Sequence, residues 1–220
     1  MKEIQMKFNE MRKEVFDITM MLCEKDLIRL SAGNISLHDG KGSVAITPAG
    51  LRYDHLTPDD IPIIDLDGNV IEGDRKPSSE TPMHTAILRD VPGMSGVVHT
   101  HSPIAIALAT VGIEVPRICI ELLLVGAPIP VAPYTCPGTA KAGKIAVDIF
   151  NSRPLLRCLM LSNHGLISIG KDLYDAYVNA YNFETGADVF HSALQIGKPT
   201  PLSDKQLEEI FRVYNIPMPT

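Results

Sequence analysis

The 220-residue chain is predicted to form a single α/β domain, spanning 1–220, on a mixed sheet with helices covering both faces. Three features predict it. Short apolar runs in 34–73 are separated by glycine turns and read as hairpins. Longer stretches repeat apolar residues every three or four positions and read as amphipathic helices. The two kinds of segment interleave without the strict rhythm of a parallel βαβ sheet. A chain of this length buries a large core without metal or disulfide staples.

The elements follow in order. Residues 4–29 place Met11, Val15, Ile18, Leu22 and Ile28 at roughly helical spacing, an opening amphipathic helix. NISLH (34–38) and SVAIT (43–47) flank Asp39-Gly40-Lys41-Gly42, and IPIIDL (61–66) and NVIEG (69–73) flank Asp67-Gly68, giving two hairpins. Ser78 or Ser79 is expected to cap a helix running through Glu80, Met83, Ile87 and Leu88 until Pro92-Gly93 ends it. SGVVHTH (95–101) reads as a strand, after which Pro103 opens an apolar helix over 104–111. A strand near 128–132 precedes a helix at about 138–151. LRCLMLS (156–162) and LISIG (166–170) are apolar strands around Asn163-His164-Gly165. Asp172 then caps a long helix to about Ile196, and LSDKQLEEIFRVY (202–214) is the last helix.

Composition narrows the function. Apolar residues make up 45% and charged ones 21%, as in an ordinary globular enzyme. The net charge of −6, the absence of Trp and the lack of any basic block argue against a nucleic-acid binder. A small phosphorylated metabolite needs only a local pocket and stays allowed. The N-terminal stretch is charged throughout and lacks the apolar core of a signal peptide. No segment is long and apolar enough for a membrane span, so no membrane association is expected. Cys23, Cys119, Cys136 and Cys158 are scattered without a C-x-x-C pair, which reads as free thiols in a reducing, cytoplasmic setting.

The local signal for chemistry is His99-Thr100-His101 at the end of an apolar strand. Side chains two apart on a strand share a face, so both imidazoles can reach one ion. Equally, an isolated H-x-H pair is often surface or packed histidine. His164, in the polar break between two apolar strands, is either a turn residue or the third ligand of an open catalytic metal site. Glu80 in a first helical turn suits the helix dipole whether or not it has another role. Ser78 and Ser79 beside it offer hydroxyls and backbone N–H groups to an anion. Gly33-Asn34 and Thr47-Pro48-Ala49-Gly50 are small-residue loops of the kind that also serve as plain turns. His84, one helical turn after Glu80, is expected on the helix surface, with a place behind Glu80 as the alternative.

Taken together, AGNIS (32–36), ITPAGLRYDHLT (46–57), KPSSETPMH (76–84), GVVHTHSP (96–103), IPVAPY (129–134) and LSNHGLISIG (161–170) resemble the class II aldolase/adducin family, in its order and over nearly the whole chain. The resemblance implies an antiparallel-rich central sheet between two helix layers and a homotetramer with active sites between subunits. It implies that His99, His101 and His164 bind Zn²⁺, or alternatively Mn²⁺ or Co²⁺, one per subunit, with Glu80 as the acid/base group that also ligates the metal. Gly33, Asn34, Thr47, Ser78 and Ser79 match the family's phosphate-binding loops, with Lys76 a further candidate. The implied reaction is metal-dependent retro-aldol cleavage of a ketose 1-phosphate, such as L-fuculose 1-phosphate or a deoxypentulose 1-phosphate, to dihydroxyacetone phosphate and an aldehyde.

The chain also departs from that pattern. A tyrosine proposed as proton donor in family aldolases has no counterpart in RICIELLLVGA, where Cys119 stands near its place. Glu121 in the same run resembles a catalytic glutamate of the family's methylthioribulose-1-phosphate dehydratases; a partly exposed strand carboxylate or an interface salt bridge is the other reading. Tyr214 matches a tyrosine that reaches a neighbouring subunit's site, with helix packing as the alternative. The family's epimerases carry aspartate at the position of Glu80, so glutamate favours cleavage. A dehydratase or decarboxylase on the same scaffold remains the alternative enzyme. A non-catalytic adducin-like module is the alternative outside enzymes, against which the complete histidine triad argues.

Overall fold

The computed structural model describes the backbone of residues 2–214 and side chains from residue 5. Met1 and residues 215–220, the ends of the expected domain, lie outside the described residues. Helix α1 (Lys2–Glu24) leads into two hairpins, β1 (Asn34–His38) with β2 (Ser43–Ile46) and β3 (Ile63–Asp65) with β4 (Val70–Glu72). Then come α2 (Thr81–Asp90), β5 (Gly96–Thr100), α3 (Pro103–Thr110), α4 (Ile120–Leu124), β6 (Val131–Ala132) and α5 (Ala140–Ser152). β7 (Cys158–Leu161), β8 (Gly165–Gly170), α6 (Leu173–Ile196) and α7 (Asp204–Tyr214) complete the chain. The strands form one sheet ordered β4-β3-β2-β1-β5-β8-β7-β6. Every neighbouring pair is antiparallel except β6 with β7. The fold is thus the expected single α/β domain with an antiparallel-rich mixed sheet.

Strand alternation sorts the helices into two layers. Ser36 on β1 reaches His84 of α2 on one face, and α5 packs beside α2. Ser168 and Cys158 project to the other face, where their side chains donate to the carbonyls of Ala176 and Asn179 on α6. Helices α1 and α3 flank α6 on that side. The central strands are apolar on both faces: Val97, Val98, Leu159, Met160, Ile167 and Ile169 are all buried. This reflects the double helix cover, and each such side chain contributes about 1.5–3 kcal/mol of burial. Asp172 caps α6 as the sequence predicts, accepting the Asp175 N–H at 2.7 Å. Among the described residues no helix is long and apolar enough to cross a membrane.

Three local expectations change. Helix α2 starts at Thr81, so Glu80 occupies the N-cap position instead of either serine, and its side chain does not cap the helix. The Ser78 hydroxyl instead accepts the Glu80 N–H at 3.2 Å. Strand β5 ends at Thr100, leaving His101 as the first residue beyond it. Glu121 sits in the first turn of the short helix α4, not on a strand. Its run is apolar but only five residues of it are helical, a length over which periodicity cannot separate helix from strand.

Candidate metal centre

Glu80, His99, His101 and His164 converge, each offering one ligand atom, with these atoms all within 4.8 Å of one another. Their positions come from three unconnected stretches. His99 stands on β5, His101 just past its end, His164 in the turn between β7 and β8, and Glu80 at the mouth of α2. Because β8 lies between β5 and β7 in the sheet, the β7–β8 turn emerges beside the end of β5. Asn163 takes a left-handed backbone at φ 56°, which asparagine tolerates better than most residues, and so turns His164 back toward His99.

Gly165 completes that approach. A Cβ there would lie 2.2 Å from the Thr100 carbonyl oxygen and 3.2 Å from His99 Cε1. Gly165→Ala is therefore expected to destabilise the protein by about 1–3 kcal/mol or more. It should also weaken metal binding, because the turn carrying His164 must shift. Denaturant midpoints and metal titration check both effects, and wild-type values in each would refute this account of the turn.

The hydrogen-bond pattern identifies what the cluster suits. His99 Nδ1 lies 2.8 Å from the Leu166 carbonyl oxygen. A carbonyl only accepts, so Nδ1 carries a proton, and Nε2 is the ring nitrogen that faces the cluster. That Nε2 lies 2.9 Å from Glu80 Oε2 and 2.9 Å from His101 Nε2. Lone pairs and a carboxylate crowd one point, which only a proton or a cation can relieve. Glu80 Oε1 is buried without a hydrogen-bond partner and lies 3.4 Å from His164 Nε2. A donor set of three imidazoles and one carboxylate suits a first-row divalent ion, so the residues fit a metal.

Electrostatics agree. Burial pushes the Glu80 carboxyl up, but the hydrogen bond and charge of His99, the Asn34 amide and His164 outweigh it and hold the group well below the usual carboxylate range. Burial and then the neighbouring His99 and His164 charges push His101 down to about 4. Burial, followed by His99, also lowers His164. Both imidazoles are thus kept in the neutral form that ligates metal.

The loops proposed for phosphate gather beside the cluster. Gly33 holds φ +86°, and a Cβ there would lie 2.7 Å from the His99 carbonyl oxygen. The Asn34 amide donates to Glu80 Oε2 at 3.0 Å. Thr47 is buried and bonded to both neighbouring loops: its hydroxyl accepts the Ile35 N–H at 3.1 Å, its N–H donates to the Ile35 carbonyl at 3.0 Å and its carbonyl accepts the Ser78 N–H at 3.1 Å. Thr47 thus joins the 33–35 segment to the 76–79 loop. Ser78 is buried, while Ser79 and Lys76 are exposed.

Sequence reasoning undervalued His84. The structure places it at full burial, not on the helix surface, with Nδ1 2.6 Å from the Ser36 hydroxyl. Burial pushes it down to about 3, so it is neutral. Asn34–Glu80 and Ser36–His84 make two rungs between β1 and α2. The signal was available in the spacing: Asn34 and Ser36 share a strand face, and Glu80 and His84 share a helix face. Glu121 and Tyr214 are not brought to the cluster within one chain. Glu121 is half-buried on α4 and makes no ion pair among the described residues, and Tyr214 is exposed at the end of α7. All four cysteines are free thiols.

Comparison with known proteins places this geometry in a class. The model of the class II aldolase and adducin N-terminal domain matches residues 13–191, and the chain belongs to that family, as a metal-dependent lyase of the class II aldolase kind. It is 34% identical over 204 residues to a 5-deoxy-D-ribulose 1-phosphate aldolase from Bacillus thuringiensis serovar kurstaki, covering 92% of this chain and 94% of that one. A 5-methylthioribulose-1-phosphate/5-deoxyribulose-1-phosphate aldolase from Rhodospirillum rubrum is 32% identical, with 93% and 90% covered. An L-ribulose-5-phosphate 4-epimerase from Salmonella paratyphi C is 30% identical, with 92% and 93% covered. Among solved structures, an L-fuculose 1-phosphate aldolase superposes with a TM-score of 0.86 at 28% identity, covering 94% of this chain and 97% of that one.

Proposed function

We propose that the protein cleaves a 5-deoxypentulose 1-phosphate, or the similar L-fuculose 1-phosphate, to dihydroxyacetone phosphate and an aldehyde. The observation that carries this reading is Glu80 held between the histidine cluster and Asn34, at the junction of metal site and phosphate loops. The deoxypentulose preference rests on relatives whose names specify that substrate. Zn²⁺ is the proposed ion, with Mn²⁺ or Co²⁺ as alternatives, and the enzyme is proposed to act as a cytoplasmic homotetramer. Tyr214 is proposed to serve a neighbouring subunit's site, as its exposed position permits.

His99, His101 and His164 would hold the ion, with Glu80 as a fourth ligand before substrate arrives. A bound divalent cation supplies Lewis-acid polarisation of the substrate carbonyl and its neighbouring hydroxyl. Gly33, Asn34, Ser78 and Ser79 receive the phosphate through backbone N–H groups, amide and hydroxyls. Thr47 ties the two loops of that pocket together, and its hydroxyl proton is a further candidate donor to the phosphate. In cleavage the ionised Glu80 takes the C4 hydroxyl proton, the C3–C4 bond breaks to leave C4 as the aldehyde carbonyl, and the bond's electron pair passes to C3. C3 then receives that same proton from Glu80, giving dihydroxyacetone phosphate. The Asn34 amide holds one Glu80 oxygen in place so that the other faces the reacting carbon.

Metal analysis of untagged protein followed by a dihydroxyacetone-phosphate release assay on 5-deoxyribulose 1-phosphate and L-fuculose 1-phosphate tests this. One ion per chain with release of that product is the expected result. Release of a diketone or carbon dioxide instead would transfer the site to a dehydratase or decarboxylase, with Glu121 as its second acid/base candidate. Epimerised pentulose phosphate without cleavage would replace the lyase reading with an isomerase.

A further inference from the structure

We propose that Glu184 is a positioning residue for the metal centre: from α6 it anchors the junction of β5 and α3 that carries His101. The inference rests on the reading of the four-residue cluster as a metal site.

The ligands differ in how they are held. His99 is fully buried on its strand, with Nδ1 fixed by the Leu166 carbonyl. His101 has left the strand, is half-buried, and has His99 as its one side-chain hydrogen-bond partner among the described residues. Its direction therefore depends on the backbone that follows. That backbone is Ser102, the N-cap residue of α3, whose hydroxyl does not cap its own helix. The buried Ser102 hydroxyl donates to Glu184 Oε2 at 2.6 Å instead.

The backbone N–H of Ile104 also favours the charged form of the Glu184 carboxyl. Pro103 has no N–H, so Ile104 carries the first free donor inside α3. One carboxylate, supplied across 82 residues of sequence, thus takes the Ser102 hydroxyl at the N-terminus of α3. It holds the chain at the residue next to His101. Burial pushes the Glu184 carboxyl up, against the Ser102 and Ile104 hydrogen bonds, so its place at a helix N-terminus depends on these two donors. Outer groups that orient a ligand typically govern metal affinity by 10–100-fold.

The test is Zn²⁺ affinity of metal-stripped protein, titrated against a chromophoric chelator, for wild type, Glu184→Ala and Glu184→Gln, with melting temperatures of the metal-free forms alongside. Glu184→Ala is expected to weaken Zn²⁺ binding at least tenfold. Glu184→Gln, whose amide oxygen can still accept, should restore affinity to within about threefold of wild type. A folded Glu184→Ala protein with wild-type affinity would overturn the proposal, even if its melting temperature falls, because packing alone would then explain the residue. Should that variant not fold, Ser102→Ala takes its place: a severalfold loss of affinity supports the anchor and an unchanged value overturns it. Wild-type protein that binds no Zn²⁺ would bring down the metal-site reading as well, an outcome separate from failure of the anchor alone.

Discussion

Replacing Glu80 with glutamine is expected to lower turnover by about 10²- to 10⁴-fold while leaving most of the metal bound. Glutamine has nearly the same shape and can offer its carbonyl oxygen to the Asn34 amide, which donates to Glu80 Oε2 at 3.0 Å in the native protein. The buried position should therefore stay filled. What disappears is the negative charge and the capacity to carry a proton to C3. Three imidazoles remain to hold the ion, a complete protein ligand set for a catalytic metal. Metal analysis and steady-state kinetics on the same preparation separate the two roles. Metal lost in proportion to activity, with full turnover by the residual loaded enzyme, would make Glu80 a ligand only.

Much of this architecture was legible because local rules and tertiary fold agree. NISLH alternates on a strand whose two faces do different work: Asn34 and Ser36 reach α2, while Ile35 is buried in the core. Asp172 announces α6 with a cap that the structure uses directly. The three histidines were legible as candidates and gained force from the family resemblance, since none of the segments carrying them signals a metal alone. Convergence depends on β8 lying between β5 and β7, which pairs residues far apart in the chain.

The parts that escaped share that dependence. His84 looked like a surface position because the spacing that puts it on the Glu80 face of α2 gains meaning only once β1 is known to pack there. Glu184 sits midway along a long helix whose acidic residues are mostly solvated, and its meaning appears only when Ser102 arrives from across the fold. Glu121 and α4 were obscured for a different reason. Apart from Arg117 and Glu121, RICIELLLVGA is an unbroken run of apolar and small residues, so neither a period of two nor one of 3.6 stands out. Thr47 shows the converse: its motif was legible, while the bonds by which it ties two loops together appear only in the fold.

The largest loss of metal and of stability together is expected from His99→Ala. His99 is fully buried and touches every part of the centre: Glu80 at 2.9 Å, His101 at 2.9 Å and the Leu166 carbonyl at 2.8 Å. Its removal opens a cavity, strips Leu166 of its side-chain donor and leaves the Glu80 carboxylate buried without its main partner. The metal-free protein should lose about 2–4 kcal/mol, and metal content and turnover should both fall to background. His164→Ala provides the contrast, because that side chain lies in a turn and is 13% exposed. It should cost the metal as well, yet lower metal-free stability less, by about 1 kcal/mol. Wild-type protein should gain about 2.7 kcal/mol at a free metal concentration a hundred times its Kd, and neither variant should gain it. Thermal melts with and without Zn²⁺, read beside elemental analysis, check all three forms. A His99→Ala protein that melts higher when Zn²⁺ is added would mean that the ion sits elsewhere, and the centre built on His99 would have to be abandoned.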